Sequence, residues 1–376
     1  MGFVFILKSK YRNFSLGLVL IITLLCSITP VTLAKTRQSH LIDFLYDNQD
    51  ADGTFGITHQ DTAYAIEIID YFNAYYVEVL FEETKSVDVT EFKEFLINQI
   101  QTMFNDENID LYELLYYLDA LNRMEVLVTS LGSSLHNNIY RYLNETIQIG
   151  GGFGPTNTST TANMVSTFFA YNIYDIIKEP VVNQSVHKNW VLSCSNTDGG
   201  YGGNQSLYST IVTTYFAVYL VDALGDVNDL VNKTKTLEYF ESFYVNDPDN
   251  IGNFGGYLPD FYAENTLLSS TFYCVQGIEL IDESELNRVN TVNWVLNHQN
   301  FRDGGYGDWV EGNDQRISSI SASFYAFKLL EIFDSFDVLD EDIFAVEFSY
   351  LILIIIPSII GVIIVIIYLF IRRRRI

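Results

Sequence analysis

The chain has 376 residues, with 21 Lys and Arg side chains against 47 Asp and Glu side chains, for a formal net charge of −26. A chain this acidic repels phosphate groups, which argues against a nucleic-acid partner. Hydrophobic residues make up 48% of the chain and aromatic residues 15%, which is enough for a folded core and argues against a disordered protein.

The N-terminus has the features of a secretory signal. Lys8, Lys10 and Arg12 precede an apolar run, and small residues follow up to Ala34. We therefore predict that residues 1–34 are a signal peptide cleaved near Ala34. An uncleaved anchor is the alternative, but the apolar run is shorter than the roughly 20 residues that a membrane span needs.

The C-terminus has the features of a membrane anchor. Residues 348–371 contain no charged side chain, and four arginines follow at once. Such a segment spans about 30 Å of hydrocarbon, and positive residues stay on the cytoplasmic side. We predict a single-pass type I protein of the cell membrane, with an acidic linker at 336–347, a transmembrane helix at 348–371 and a basic cytoplasmic tail at 372–376.

The segment between signal and anchor suits an extracytoplasmic compartment. It contains five glycosylation sequons, at Asn144, Asn157, Asn183, Asn204 and Asn232. Only Cys194 and Cys274 remain after removal of the signal. They could pair in an oxidising compartment, but two buried free thiols are the alternative that we favour.

A glycine-aromatic-glycine signature recurs along this segment. Its central aromatic residues are Phe55, Phe153, Tyr201, Phe254 and Tyr306, at intervals of 98, 48, 53 and 52 residues. The first interval is about twice the others, and Phe104 at its midpoint marks a degenerate unit without the glycines. Six units therefore fill residues 35–335, as in a closed or stacked array of repeated elements.

Each unit is predicted to contain two helices. Segments before the signature, such as 188–194 and 292–299, carry apolar residues three and four apart. A polar loop leads to a second, more apolar segment, as at 210–224, 266–280 and 318–330. Its β-branched residues favour a strand, but its length and the lack of an internal turn favour a helix. Hydrophobicity on all sides indicates that this second helix is the inner one.

The recurring signature residues are predicted to be structural, because a residue found in most units serves the repeat itself. Glycine permits a positive φ where the first helix ends, aspartate closes the turn, and the aromatic side chain fills the space between hairpins. This role is predicted for Asp52, Phe55, Gly152, Phe153, Asp198, Gly200, Tyr201, Phe254, Asp303, Gly305 and Tyr306.

The order of helix, Asp-Gly-Gly-Tyr-Gly signature, loop and second helix resembles the repeat of the prenyltransferase β-subunit and terpene-cyclase superfamily. The strongest segments are 297–307 and 195–202, and 61–65 resembles the usual start of an inner helix. The resemblance covers about 40–335 and implies an all-α fold, a six-hairpin α/α toroid, to which the predicted transmembrane helix is added. Such motifs identify a fold and leave its function open.

The resemblance also implies where catalytic residues would lie. Protein prenyltransferases begin one inner helix with Asn-Lys, followed by an Asp and a Cys that bind zinc, and a later unit supplies a zinc-binding His. The matching positions here hold Asn265, Thr266, Ser269 and Thr271, and the histidine position lies among Ser318, Ser319 and Ser321. Neutral hydroxyls do not replace these zinc ligands, so we predict neither a metal nor a cofactor.

Two groups of residues remain as candidates for a site. His59 and Asp61 begin the first inner helix and could form an acid-base pair, although a helix cap beside a solvated histidine is the alternative. Polar residues near other inner-helix starts are predicted to line a cavity: Thr160, Thr161, Ser209, Thr210, Thr213, Asn265, Ser269, Ser270, Ser318, Ser319 and Ser321. Nearby tyrosines would add aromatic surface to this wall: Tyr64, Tyr208, Tyr273 and Tyr325.

We therefore expect a membrane-anchored extracytoplasmic toroid that binds a ligand, either a lipid, a sugar or a protein, and lacks zinc-dependent prenyl transfer. One alternative is an enzyme of the prenyltransferase or cyclase type that acts on a lipid through a rearranged site. Another is a glycan-active toroid enzyme, which would need clustered acids at the cavity mouth.

Overall fold

A computed structural model describes residues 35–77, 84–124, 131–309 and 316–343. The predicted signal peptide, transmembrane helix and basic tail lie outside these residues. Within the described ranges, no helix is both long enough and apolar enough to span a membrane. The membrane anchor therefore stays a prediction.

The chain divides into two units. In the smaller one, the described residues are two short strands, β1 (Lys35–Thr36) and β6 (Asp342–Ile343), which pair antiparallel. The larger unit comprises residues 37–341. It contains the antiparallel pair β2 (Tyr76–Val77) and β3 (Lys85–Ser86), and the antiparallel pair β4 (Gly307–Trp309) and β5 (Arg316–Ser318).

The described part of the larger unit contains twelve α-helices, arranged as six hairpins. The outer helices are α1 (Arg37–Asp47), α3 (Val89–Asn105), α5 (Gly132–Glu145), α7 (Gln184–Ser193), α9 (Lys233–Glu241) and α11 (Arg288–Asn297). The inner helices are α2 (His59–Tyr71), α4 (Leu111–Arg123), α6 (Met164–Ile176), α8 (Ile211–Ala223), α10 (Leu268–Asp282) and α12 (Ile320–Ile332). Short 3₁₀ turns lie at Val227–Asp229, Glu283–Glu285 and Phe336–Asp340. The predicted α/α toroid is confirmed as a fold.

The inner helices form a closed ring. Each one packs against the next, and α12 packs against α2. Tyr64 on α2 stacks on Phe324 of α12 with ring centroids 3.6 Å apart. At the starts of the same two helices, Ser321 Oγ donates to Asp61 Oδ1 over 2.7 Å. Contacts between the first and last hairpins therefore close the ring.

Side-chain caps explain why segments rich in β-branched residues begin helices here. Thr58 precedes α2, and its side chain accepts a hydrogen bond from the Asp61 N–H, while the Asp61 carboxylate accepts one from the Thr58 N–H. Asn163, Thr210 and Ser319 cap α6, α8 and α12 in the same way, each accepting from a backbone N–H three residues later. Such caps contribute about 1 kcal/mol each and set the helix starts. Burial of the following apolar residues then outweighs their strand propensity.

The signature aromatic residue is tied to the inner helix of its own unit. In five units its backbone N–H donates to the hydroxyl of the fourth residue of the inner helix, over 2.9 to 3.0 Å: Phe55 to Thr62, Phe153 to Thr167, Tyr201 to Thr214, Tyr257 to Thr271 and Tyr306 to Ser323. The fifth unit therefore uses Tyr257 in this position, where the sequence pattern indicated Phe254. In the second unit, Phe104 lies inside α3, and a five-residue connection leads directly to α4.

The first glycine of the signature lies against the next outer helix. Gly199 has φ +93°, and a Cβ placed on it would be 2.2 Å from the carbonyl oxygen of Lys235 in α9. Gly304 repeats this contact with the carbonyl oxygen of His40 in α1. Only glycine fits so close an approach with this backbone conformation. The contact at Gly304 also closes the outer ring, because it joins the last unit to the first.

Candidate functional site

Each inner helix places three side chains toward the axis of the ring, at positions four and then three residues apart. Helix register arranges these positions in three layers of six, with one side chain from each helix. The mouth layer is Gln60, Tyr112, Val165, Val212, Ser269 and Ser321. The aromatic layer is Tyr64, Tyr116, Phe169, Phe216, Tyr273 and Tyr325. The polar layer is Glu67, Asp119, Asn172, Tyr219, Gln276 and Lys328.

The aromatic layer is a closed circle of rings. For all six neighbouring pairs, the ring centroids lie 5.7 to 6.5 Å apart. This spacing falls in the range where aromatic rings attract one another, mostly edge to face. The axis at this level is therefore bounded by π surface contributed by every hairpin.

Hydroxyl groups occupy only one side of this layer. Four tyrosines lie on the consecutive helices α10, α12, α2 and α4, whereas two phenylalanines lie on α6 and α8. Gln60 Nε2 donates to Tyr64 Oη over 2.6 Å and to Tyr116 Oη over 2.7 Å. Tyr273 Oη and Tyr325 Oη are 3.3 Å apart. Burial raises the pKa of Tyr64, Tyr116 and Tyr273, so these phenols stay neutral.

Glu67 organises the charges of the polar layer. Its side chain is 7% exposed, and its carboxylate oxygens lie 3.1 Å from Arg123 Nη2 and 3.0 Å from Lys328 Nζ. Arg123 Nε also lies 3.5 Å from Asp119 Oδ1, and Lys328 pairs with Glu331. Both cations are therefore engaged by carboxylates. Burial raises the pKa of Asp119 to about 6 despite the nearby Arg123.

The remaining polar-layer residues join neighbouring helices. Tyr219 Oη donates to Asn172 Oδ1 over 3.1 Å, which joins α8 to α6. Tyr215 Oη donates to Gln276 Oε1 over 3.0 Å, which joins α8 to α10. Below the aromatic layer, hydrogen bonds and ion pairs thus join neighbouring inner helices around the axis, whereas the mouth layer above it is uncharged.

His59 and Asp61 have different partners. Asp61 accepts hydrogen bonds from the Thr58 backbone and hydroxyl, as a capping residue does, and also from Ser321. His59 Nδ1 lies 2.9 Å from Tyr117 Oη, and its Nε2 lies 3.6 Å from Glu113 Oε1. Asp61 therefore acts as part of the N-terminal cap of α2, which was the alternative to an acid-base pair, and His59 contacts α4.

The predicted cavity-lining residues are spread over three environments. Ser269 and Ser321 lie in the mouth layer. Thr160 and Thr161 are exposed, and Asn265 is half-buried, in the loops before α6 and α10. The others hydrogen-bond within loops or cap helices: Ser209, Thr210, Thr213, Ser270, Ser318 and Ser319. Their binding role stays a prediction, and two of the eleven lie at the mouth of the ring.

The signature aspartates bind their own loops. Asp198 Oδ1 accepts hydrogen bonds from the Gly200 N–H and the Ser209 hydroxyl. Asp303 Oδ1 makes the same bonds with Gly305 and Ser318. In the fifth unit, Asn253 Oδ1 accepts from Thr266 instead. These bonds hold the turn that precedes each inner helix. Asp52 likewise accepts from Thr54.

The two cysteines are free in this structure. Cys194 and Cys274 are both buried and do not pair. Burial raises the pKa of Cys194 to about 12, so it stays a thiol. Across the described ranges, no three His, Cys, Asp or Glu side chains are grouped so that they could hold a metal ion.

Of the four tyrosines predicted to line the wall, Tyr64, Tyr273 and Tyr325 lie in the aromatic layer, and Tyr208 is exposed in a loop. The other residues of the aromatic and polar layers were not predicted, although the sequence carries a signal for them. The hydroxyl residue that binds the signature N–H sits two positions before the aromatic-layer residue, as Thr62 does before Tyr64 and Thr271 before Tyr273. Aligning the units on that hydroxyl places all three layers in register.

Three comparisons with known proteins bear on the family. The sequence model of the prenyltransferase alpha-alpha toroid domain matches residues 11–159, 91–185, 158–260 and 251–347. None of the curated proteins compared matches the sequence significantly.

Two solved structures are similar in fold. Protein geranylgeranyltransferase-I from Candida albicans, complexed with GGPP, is 15% identical, with a TM-score of 0.52 over 85% of this chain and 90% of that one. The type II terpene cyclase MstE from Scytonema, in its apo form, is 11% identical, with a TM-score of 0.50 over 80% and 97%. At such identities, the similarity extends to the fold alone.

Proposed function

We propose, given that the chain belongs to the prenyltransferase alpha-alpha toroid family, that its ring binds a neutral, largely apolar ligand along the axis and does not carry out zinc-dependent prenyl transfer. In this proposal the toroid is an extracytoplasmic binding module. Residues 1–34 direct it across a membrane, and residues 348–371 tether it there.

The closed aromatic layer is the observation that carries this proposal. Six rings around one axis offer a continuous π surface to an alkyl, isoprenoid or fused-ring ligand. Phenol hydroxyls on one side suit neutral acceptors such as ether, ester or alcohol oxygens. We therefore propose a lipid with neutral oxygen atoms as the ligand.

The lack of basic side chains in the mouth layer argues against a diphosphate ligand. The six mouth-layer positions hold amide, hydroxyl or apolar side chains, and none of them is basic. Arg123 and Lys328 lie beyond the aromatic layer and already pair with Glu67. A buried diphosphate without cationic partners would be strongly destabilised. This charge distribution supports binding of a neutral ligand over prenyl transfer.

A turnover assay tests the absence of prenyl transfer. The purified full chain is incubated with geranylgeranyl diphosphate, zinc chloride and a peptide that ends in an accessible cysteine. The proposal predicts no thioether product above a no-enzyme control. Zinc-dependent product that the Ser269→Ala variant abolishes would contradict it.

A variant pair tests the proposed binding surface. Phe216→Ser removes a ring from the aromatic layer, whereas Tyr208→Ser removes an exposed ring outside the axis. Burying a phenyl side chain is worth about 2 kcal/mol, so Phe216→Ser is expected to weaken binding of tritiated geranylgeraniol by roughly thirtyfold. Tyr208→Ser should leave binding unchanged.

An enzyme that acts on a lipid is the second candidate, and Asp119 is the observation that favours it. A carboxyl group with a pKa of about 6 can hold a proton near neutral pH and deliver it to a substrate, as a cyclase-like reaction requires. In that case, Asp119→Asn would abolish turnover of a bound polyene while leaving its binding intact. Unchanged turnover would exclude this role.

A further inference from the structure

Six exposed apolar side chains lie at the end of the ring where the inner helices begin. They lie in the connections that lead from the signature into the inner helices, and we name them the docking arc: Ile57, Leu207, Tyr208, Phe261, Tyr262 and Ile317. Ile57, Tyr208 and Tyr262 are 99%, 94% and 95% exposed. Large side chains exposed to this degree and repeated in several connections mark an interaction surface.

The docking arc spans neighbouring units. Its residues come from the fourth, fifth, sixth and first hairpins, which follow one another around the ring. The Leu268 N–H donates to Asp308 Oδ1 over 2.9 Å, which joins the fifth hairpin to the loop of the sixth. Ile320 Cδ1 would lie 3.0 Å from a Cβ on Gly56, beside Ile57, which joins the sixth to the first. The exposed residues therefore lie in the connections of four hairpins that are consecutive in the ring.

The charge on this side of the ring restricts what can cover the docking arc. The described connections from outer to inner helices contain two arginines, Arg302 and Arg316. The same connections contain twelve acidic residues: Asp50, Asp52, Asp106, Glu107, Asp110, Asp198, Asp247, Asp249, Asp260, Glu264, Asp303 and Asp308. An anionic lipid surface or a second copy of this chain would meet repulsion of like charges, whereas a basic segment would be attracted.

We propose that the docking arc binds an amphipathic segment of a partner protein that carries Lys or Arg between its apolar residues. The apolar side chains of that segment cover Ile57, Phe261 and Tyr262, and its basic residues pair with the acids around the arc, of which Asp260 and Glu264 lie closest in sequence. This surface uses none of the side chains of the three layers around the axis.

Peptide binding to the full chain in nanodiscs of zwitterionic lipid tests this proposal. The probe is a fluorescein-labelled 18-residue peptide of Leu and Lys with helical periodicity, measured by anisotropy and corrected with empty nanodiscs. A peptide of the same pattern with Glu in place of Lys tests the charge. We expect saturable binding of the Leu/Lys peptide and none of the Leu/Glu peptide.

Paired variants localise the binding. Ile57→Ser combined with Tyr262→Ser removes two arc side chains, whereas Val289→Ser combined with Tyr76→Ser removes an exposed aliphatic and an exposed aromatic side chain outside the arc. The arc variant should bind the Leu/Lys peptide at least tenfold more weakly, and the control variant within twofold of wild type.

Three results would overturn the proposal. Equal affinity of the two variants for the Leu/Lys peptide would mean that the arc is not the binding surface. Equal binding of the Leu/Glu peptide would remove the charge argument. Self-association in sedimentation that the arc variant abolishes would make a second copy of the chain the occupant.

Discussion

Replacing Glu67 with Gln tests how charge closes the inner ring. Glu67 on α2 pairs with Arg123 on α4 and Lys328 on α12, so one carboxylate joins the first, second and last hairpins. Gln has the same shape and removes only the charge. It leaves two cations facing a neutral amide in a polar layer where the Glu67 side chain is 7% exposed.

The expected loss of stability depends on which carboxylate partners Arg123 and Lys328 keep in the variant. Removing one partner of a fully buried ion pair costs about 3–5 kcal/mol. Here Arg123 keeps Asp119, Lys328 keeps Glu331, and the Arg123 side chain is 40% exposed. We therefore expect Glu67→Gln to lower the free energy of unfolding by about 2–3 kcal/mol.

Urea unfolding of the full chain, followed by the fluorescence of the buried Trp190 and Trp294, measures this loss. The control is Glu145→Gln, which removes the exposed Arg141–Glu145 pair and should cost less than about 0.5 kcal/mol. If both variants lost the same small amount, the polar layer would not contribute to ring closure as argued.

Three further substitutions test other parts of the account. Thr214→Val removes the acceptor of the buried Tyr201 N–H and should lower the free energy of unfolding in urea by about 1–3 kcal/mol, whereas Thr197→Val, at an exposed position, should lower it hardly at all. Equal losses would refute a stabilising role for the bond between the signature N–H and the inner-helix hydroxyl. Gly199 has φ +93°, and a Cβ on it would lie 2.2 Å from a carbonyl oxygen, so Gly199→Ala should lower the free energy of unfolding by about 3 kcal/mol. Gly150→Ala, where a Cβ would meet open space, should lower it by under about 0.5 kcal/mol. The raised pKa of Asp119 means that the folded state binds its proton more tightly than the unfolded state, so its contribution to stability falls by up to about 3 kcal/mol as the pH rises from 4 to 7. Asp119→Asn should remove that decline, and parallel stability profiles for wild type and variant would contradict the assignment.

Local pattern was sufficient to predict the hairpins. The three inner helices predicted to begin at 210, 266 and 318 begin within two residues of those positions, because Thr210 and Ser319 are good caps and the following apolar runs are too long for strands. The inner helix of the third unit begins at Met164, after the Thr160 and Thr161 that were named near its start. Tyr257 was missed because the fifth unit uses Asn253, one position earlier, for the role that Asp198 has in the fourth. Spacing alone does not reveal such a shift within a turn.

The layers around the axis could not be derived from one helix at a time. An aromatic or charged residue on an inner helix has the same local pattern whether it faces the axis or a neighbouring helix. Alignment of the units sets the register of these positions, and closure of the ring brings them together: Lys328 and Glu67 are 261 residues apart in sequence, yet they form one ion pair. The predicted wall of hydroxyls placed the polar groups at the helix starts, where many of them act as caps or bind within loops.

Calorimetric titration of the purified full chain with geranylgeraniol and with geranylgeranyl diphosphate tests whether the ring prefers a neutral lipid. The two probes share one hydrocarbon chain and differ only in the charged group. We expect saturable binding of the alcohol, weakened by Phe216→Ser. We expect binding of the diphosphate to be at least tenfold weaker, because no basic residue lies in the mouth layer. Tighter binding of the diphosphate, or binding of the alcohol that Phe216→Ser leaves unchanged, would contradict this preference.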